Sequence, residues 1–306
     1  MKKETIIVSL LLAFFSISIL LGLFHSQTPK NKGKVSKIIS SKNSIALIYI
    51  DGPISAANNS PFTNNMGGIN SIVDQLYKIE ENSHIKAVVI RINSPGGTSG
   101  ASQETYEEIM KFKTRTKIPV IISIADIAAS GAYWIAMAGD IIFANPSSLV
   151  GSIGVIINSL NFSELAKKYG VNMTTIKSGR YKDMLSSWRD VDTKEKKLLQ
   201  AMVDNVHSQF TKALAKSRNI SLKKANEIAD GRVFSGEQAK KIGLIDELGG
   251  LQDSIKYAAN KVGIKKKRPD LIIHTKNPLF EFFNLWKSSI QKSFFSSLGL
   301  NYSYLN

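Results

Sequence analysis

Ser130 stands in the run Ala128-Ala129-Ser130-Gly131-Ala132-Tyr133, between two stretches of different habit. Residues 119–125 before it are apolar and β-branched and read as a buried strand. Residues 133–138 after it read as a helix. A serine at such a turn has its hydroxyl at the end of a sheet, beside the free backbone N–H groups of a helix start. Acyl transfer needs that combination, a nucleophile with donors for the developing oxyanion. The plain alternative is an ordinary helix N-cap. A second stretch, Asn93-Ser94-Pro95-Gly96-Gly97, follows another apolar strand at 87–92. Pro95 stops that strand, and the paired glycines let the backbone turn sharply with its N–H groups exposed. Alone it is a turn; beside the Ser130 unit it has the form of the other half of an oxyanion hole.

The elements that must carry these turns follow from apolar spacing. Residues 44–50 read as a first strand and 55–67 as an Asn- and Ser-rich loop. Ile69, Ile72, Leu76 and Ile79 have helical spacing, and 99–112 reads as a further helix. Strand, helix, strand, helix, strand, helix predicts a parallel sheet with helices packed on it. Ligand sites in such sheets lie beyond the carboxyl ends of the strands, where Gly97 and Ser130 both fall. Further on, 149–155 is strand-like, 163–169 is a short helix closed by Gly170, and 171–176 is a short strand. Asp192 and Glu195 have capping-box spacing and open a long helix to Lys216. Helices at 222–229 and 251–262 follow, with a second capping box at Ser235 and Gln238.

The chain has 306 residues, 43% hydrophobic and 21% charged, as expected of a globular protein. Its net charge is +16, but the lysines are scattered and no nucleic-acid motif appears, so nucleic acid is not expected as a partner. A basic surface suits anionic lipid better. Cysteine is absent, which excludes a disulfide framework and thiol-bound metal.

Residues 6–24 are apolar and uncharged, and roughly twenty such residues span a bilayer core. The run is long for a secretory leader and lacks an Ala-x-Ala cleavage site, so a retained transmembrane helix is expected. The chain then divides into an anchor (1–26), a Lys- and Ser-rich tether (27–43), a domain (44–263) and a basic, aromatic extension (264–306). Lys265-Lys266-Lys267-Arg268 reads as a solvated turn. The aromatic residues near Phe280 and Phe294 suit either a helix packed on the domain or a tail on the membrane surface.

The Pro-Gly-Gly and Ala-Ser-Gly turns resemble the signal peptide peptidase A family of serine peptidases, peptidase family S49. The resemblance runs from about Ala46 to Leu251. It implies an α/β fold of the ClpP/crotonase kind, a repeated ββα superhelix with a parallel sheet. It also implies a Ser–Lys dyad in place of a Ser-His-Asp triad. None of the four histidines closely follows Ser130, where a ClpP-like triad has its base. Lys182, in Ser178-Gly179-Arg180-Tyr181-Lys182-Asp183, matches the family's lysine motif in spacing and setting. A lysine acts as base only when neutral, which burial favours. Ser152 matches the family's second serine, which orients the lysine amine.

The implied mechanism has Lys182 take the Ser130 proton while Gly97 and Gly131 hold the oxyanion, with no metal or cofactor. The implied substrates are apolar peptides, the remnants of cleaved signal peptides. The implied setting is the bacterial inner membrane, single-pass, with the peptidase outside the cytoplasm; lysines on both flanks of the apolar run leave charge alone undecided. Family members of this length form homo-oligomeric rings. Two alternatives use the same frame: a Ser–Lys peptidase that clips one membrane protein, and a crotonase-like acyl-CoA enzyme, which needs no Ser–Lys pair. An inactive membrane scaffold would be marked by loss of Ser130 or Lys182, and both are present.

Overall fold

The computed structural model describes residues 43–56 and 68–273. The expected anchor, most of the expected tether, most of the loop expected at 55–67 and the expected aromatic tail lie outside the described residues. Among the described residues no helix is long and apolar enough to cross a membrane.

The strands are β1 (Ser44–Asp51), β2 (Ile85–Ser94), β3 (Val120–Ala129), β4 (Ile141–Ala144), β5 (Leu149–Gly151), β6 (Val233–Ser235), β7 (Glu247–Leu248) and β8 (Asp270–Ile273). The helices are α1 (Ile69–Glu80), α2 (Ser99–Thr116), α3 (Gly131–Ala136), α4 (Ser163–Lys168), α5 (Thr193–Ser217), α6 (Leu222–Ile228), α7 (Gly236–Lys241) and α8 (Leu251–Lys261). The sheet runs β6-β5-β3-β2-β1-β8, with β4 also on β3 and β7 on β4. Every pairing is parallel except β5 with β6. The result is a mixed α/β fold with a largely parallel sheet, consistent with a ClpP-like fold. β8 carries the sheet past Gly263, pairing with Ser44–Leu47 of β1.

The central strands are apolar on both faces because both faces are covered. Ile48, Ile50, Ile90, Ile92, Ile122 and Ile124 point into the larger core, with Phe112 of α2 and Phe210 of α5. Ile45, Leu47, Val89 and Ile121 point the other way, onto Ile255, Ala258 and Ala259 of α8. Each fully buried Ile, Leu, Val or Phe side chain among them contributes roughly 1.5–3 kcal/mol.

β3 decides where the chemistry can sit. Its first half, Ile121 to Ile124, pairs with β4. Its second half, Ile127 to Ala129, changes neighbour and pairs with β5. At the fork the Ala125 carbonyl accepts from Ser148 Oγ and from Asn145 Nδ2. Finding that second neighbour keeps β3 extended to Ala129, past the 125 at which apolar spacing would end it.

Two expected strands come out shorter or absent. The strand-like run at 149–155 stops at Gly151, and 171–176 has no regular structure. Isolated backbone has nothing to pair with, and a strand needs a neighbour. Residues 152–192 form an arm whose one helix is α4, with Ile156, Leu160, Tyr169 and Ile176 exposed.

Candidate active site

The turn at Ser130 follows from what holds its two sides. Its amide donates to the Gly151 carbonyl at 2.8 Å, continuing the β3–β5 ladder. Its carbonyl accepts from the N–H groups of Tyr133 (2.9 Å) and Trp134 (3.0 Å), starting α3. Bent between strand and helix, Ser130 takes φ 52° and ψ −125°. A non-glycine residue there stores about 1–3 kcal/mol of strain, which surrounding structure must over-determine.

That surrounding structure is α3 itself, all six of whose residues are buried. The Tyr133 hydroxyl donates to the Leu244 carbonyl at 2.7 Å. Trp134 stacks on Phe210 with ring centroids 4.5 Å apart. The free carbonyls after the helix are also taken: Met137 O by Ser217 Oγ and Ala138 O by Lys113 Nζ, both at 2.7 Å. The Ser130 side chain makes no capping hydrogen bond. Its hydroxyl is half-buried and, among the described residues, uncommitted, which is not the behaviour of an N-cap.

The Pro-Gly-Gly turn lies directly against it. β2 and β3 bring Ser94 opposite Ala128, after an irregularity between Ile92 and Ser94. Two residues on, Gly96 meets Ser130: a Cβ on Gly96 would stand 2.7 Å from Ala129 O and 2.9 Å from Gly131 N. Gly97 runs as close to Ile54, whose carbonyl would be 1.9 Å from a Cβ on Gly97. Ile54 N donates to Gly96 O (2.9 Å) and Thr98 N to Ile54 O (3.0 Å). Those bonds leave the Gly97 N–H out of the bridge. Among the described residues neither Gly97 N–H nor Gly131 N–H has a partner. A Cβ on Gly131 would lie 3.4 Å from Gly97 N, so the two amides are neighbours. Two free N–H groups beside an uncommitted hydroxyl are the parts of an oxyanion hole.

Ser152 comes just after Gly151, the residue that binds the Ser130 amide. It is half-buried, has φ 48°, and its own amide donates to Arg232 O at 2.8 Å. Lys182 sits elsewhere, in a turn of the arm, its amide donating to Gly179 O at 3.1 Å. Its side chain is exposed, and within the chain no hydrogen bond joins it to Ser130 or Ser152. The structure therefore brings Ser130, Gly97 and Gly131 together, sets Ser152 beside them, and leaves Lys182 open. Neither described histidine bonds to Ser130; the His207 ring is held by Ala229 O at 2.8 Å.

One residue escaped the sequence. Ser102 of α2 is fully buried, donates to Thr98 O at 2.9 Å, and lies under Gly131, 2.1 Å from where a Cβ would be. It packs the floor of the turn. A serine inside a helix carries no local signal of that task.

The comparisons agree with this geometry. Residues 112–265 match Peptidase family S49, and residues 60–150 match Clp protease. A Synechocystis sp. protein named as a protease is 36% identical over 86% of this chain and 91% of its own length. An Enterococcus faecium protein named as a signal peptide peptidase SppA is 35% identical over 80% of this chain and 71% of its own. The chloroplastic serine protease SPPA of Arabidopsis thaliana is 34% identical over 78% of this chain but only 35% of its own length. With a free serine hydroxyl at a strained turn and relatives of this kind, the chain belongs to peptidase family S49 and is a serine peptidase.

Proposed function

We propose that this serine peptidase is a membrane-anchored endopeptidase that uses a Ser130–Lys182 dyad to degrade cleaved signal peptides. The observation that carries it is the uncommitted Ser130 hydroxyl beside the free amides of Gly97 and Gly131. Neutral Lys182 takes the Ser130 proton as Oγ attacks a peptide carbonyl. The oxyanion forms against the Gly97 and Gly131 N–H groups. Collapse breaks the C–N bond, and the Lys182 ammonium gives its proton to the leaving amine. Water, deprotonated by the same amine, then hydrolyses the ester and returns Ser130. Ser152 hydrogen-bonds the amine and keeps it aimed.

An amine exposed in one chain does not lose its proton readily; burial is what favours the neutral form. The arm around Lys182 carries exposed Ile156, Leu160 and Ile176, which water does not favour. A second copy packed on the arm would cover both, so the working form is a homo-oligomer, ring-shaped as in ClpP-like assemblies, with sites shared between copies. The apolar run at 6–24 would hold it at the inner membrane with the peptidase on the extracytoplasmic side. The relatives' names support signal peptides as the substrate class. Digestion of casein and of a synthetic signal peptide by wild type, Ser130→Ala and Lys182→Ala is the test. Both variants are expected to stay folded and lose at least about 10³-fold in kcat. Retained activity in either ends the dyad.

A further inference from the structure

The turn that carries Lys182 is fastened from both sides. On one side Lys177 Nζ donates to Arg180 O (3.0 Å) and to Asp183 Oδ1 (2.5 Å). On the other, Arg189 grips Asp183 with both edges of its planar fork, Nε to Oδ2 at 2.9 Å and Nη2 to Oδ1 at 2.8 Å. The same guanidinium also grips Glu195, Nη1 to Oε2 at 2.8 Å and Nη2 to Oε1 at 2.6 Å. Its remaining contacts go to the Asp183 and Asp190 carbonyls.

Glu195 is the fixed end of this chain of bonds. It sits in the first turn of α5 with 2% of its side chain exposed. A carboxylate so enclosed must be paired, and Arg189 together with the Asp192 N–H pairs it. The other end of α5 carries Phe210, which stacks on Trp134 four residues after Ser130. One helix thus packs against the nucleophile's support at one end and holds the Lys182 turn at the other.

Capping α5 does not account for Arg189. Asp192 and Glu195 already complete a capping box between themselves. What the guanidinium adds is the link from that box to Asp183, the residue next to Lys182. Arginine's rigid fork suits the purpose, because two carboxylates held edge-on leave it little freedom. Arg189, and then Lys177, hold the Asp183 carboxyl well below the usual range. Arg189 first, then the Asp192 N–H, bring Glu195 down to about 2.

We propose that Arg189 is the positioning residue for the Lys182 base: seated on Glu195, its fork fixes Asp183 and so aims the neighbouring amine at the serine it serves. The proposal rests on the dyad reading above. Its test compares full-length wild type, Arg189→Ala and Lys182→Ala in detergent, with a fluorogenic peptide. Arg189→Ala is expected to lose about 10- to 100-fold in kcat, as a misplaced group does, read below its melting temperature, which falls because the enclosed Glu195 carboxylate loses its partner. KM should stay within about twofold, since ground-state binding is untouched. Millimolar guanidinium chloride, but not sodium chloride, should restore part of the lost kcat. Full kcat in Arg189→Ala, or a loss confined to KM, overturns the proposal. If Arg189→Ala does not fold, Glu195→Gln keeps an acceptor for the Asp192 N–H while removing the charge. It should lower kcat at constant KM, and an unchanged kcat is equally fatal. An active Lys182→Ala ends the dyad itself, whereas an inactive one beside a fully active Arg189→Ala ends only the role given to Arg189.

Discussion

The block around Ser130 and the arm around Lys182 are built to opposite standards. In the block every residue of α3 is buried, Tyr133 has its hydroxyl bonded, and the carbonyls after the helix are capped. In the arm Ile176 is 97% exposed, the expected strand at 171–176 has not formed, and a polar clamp supplies the order near Lys182. The block can store backbone strain because packing over-determines it. The arm cannot bury its own apolar side chains. One chain encloses the setting of Ser130 and leaves Lys182 exposed.

The sharpest way to break that contrast is at Gly97. A methyl group there would stand 1.9 Å from the Ile54 carbonyl oxygen, a backbone atom with no flexible side chain to step aside. Gly97→Ala should displace one oxyanion donor and lower kcat by about 10²-fold or more, read on the same peptide substrate. Wild-type activity in that variant would mean that the block is softer than its packing suggests.

A gentler probe is acid. The folded value of Glu195, about 2, lies below its ordinary 4.5. Its stabilising contribution is therefore complete above the ordinary value and is lost as pH falls through the folded one. Urea unfolding of wild type and Glu195→Gln between pH 6 and about 2 should show curves that converge as the pH drops. Parallel curves would remove the charge from the clamp. The smallest effect on the fold is expected at Ile176→Ser, within about 0.5 kcal/mol, because it is almost fully exposed among the described residues. The same substitution should weaken assembly, measured as a lower mass at equal concentration in analytical ultracentrifugation. An unaltered mass would place the arm outside any subunit contact.

Much of the frame was legible before any coordinates. Ile69, Ile72, Leu76 and Ile79 repeat at helical spacing, and α1 runs Ile69–Glu80. Asp192 with Glu195 and Ser235 with Gln238 announce capping boxes, and both form. These signals are legible because their physics is complete within a few residues. The Ser130 turn and the Pro-Gly-Gly turn were legible for the same reason, as a strand end, a helix start and a pair of glycines. Lys182 and Ser152 were reached through family resemblance alone, since one lysine looks like another. Arg189 was not reached at all: Asp183, Arg189 and Glu195 share no helix or strand, and their meeting depends on how the arm returns to α5.

The amino-acid order by itself determined the elements, the caps and the two kinds of turn, because each is set by backbone preference and side chains close along the chain. Only the tertiary structure decided that Gly97 and Gly131 offer their amides side by side, that the Ser130 hydroxyl stays uncommitted, and that Lys182 stands open on an arm. Those outcomes depend on the register of β3 against β2 and β5 and on what α3 and α5 can bury, and contacts between residues distant in sequence settle both.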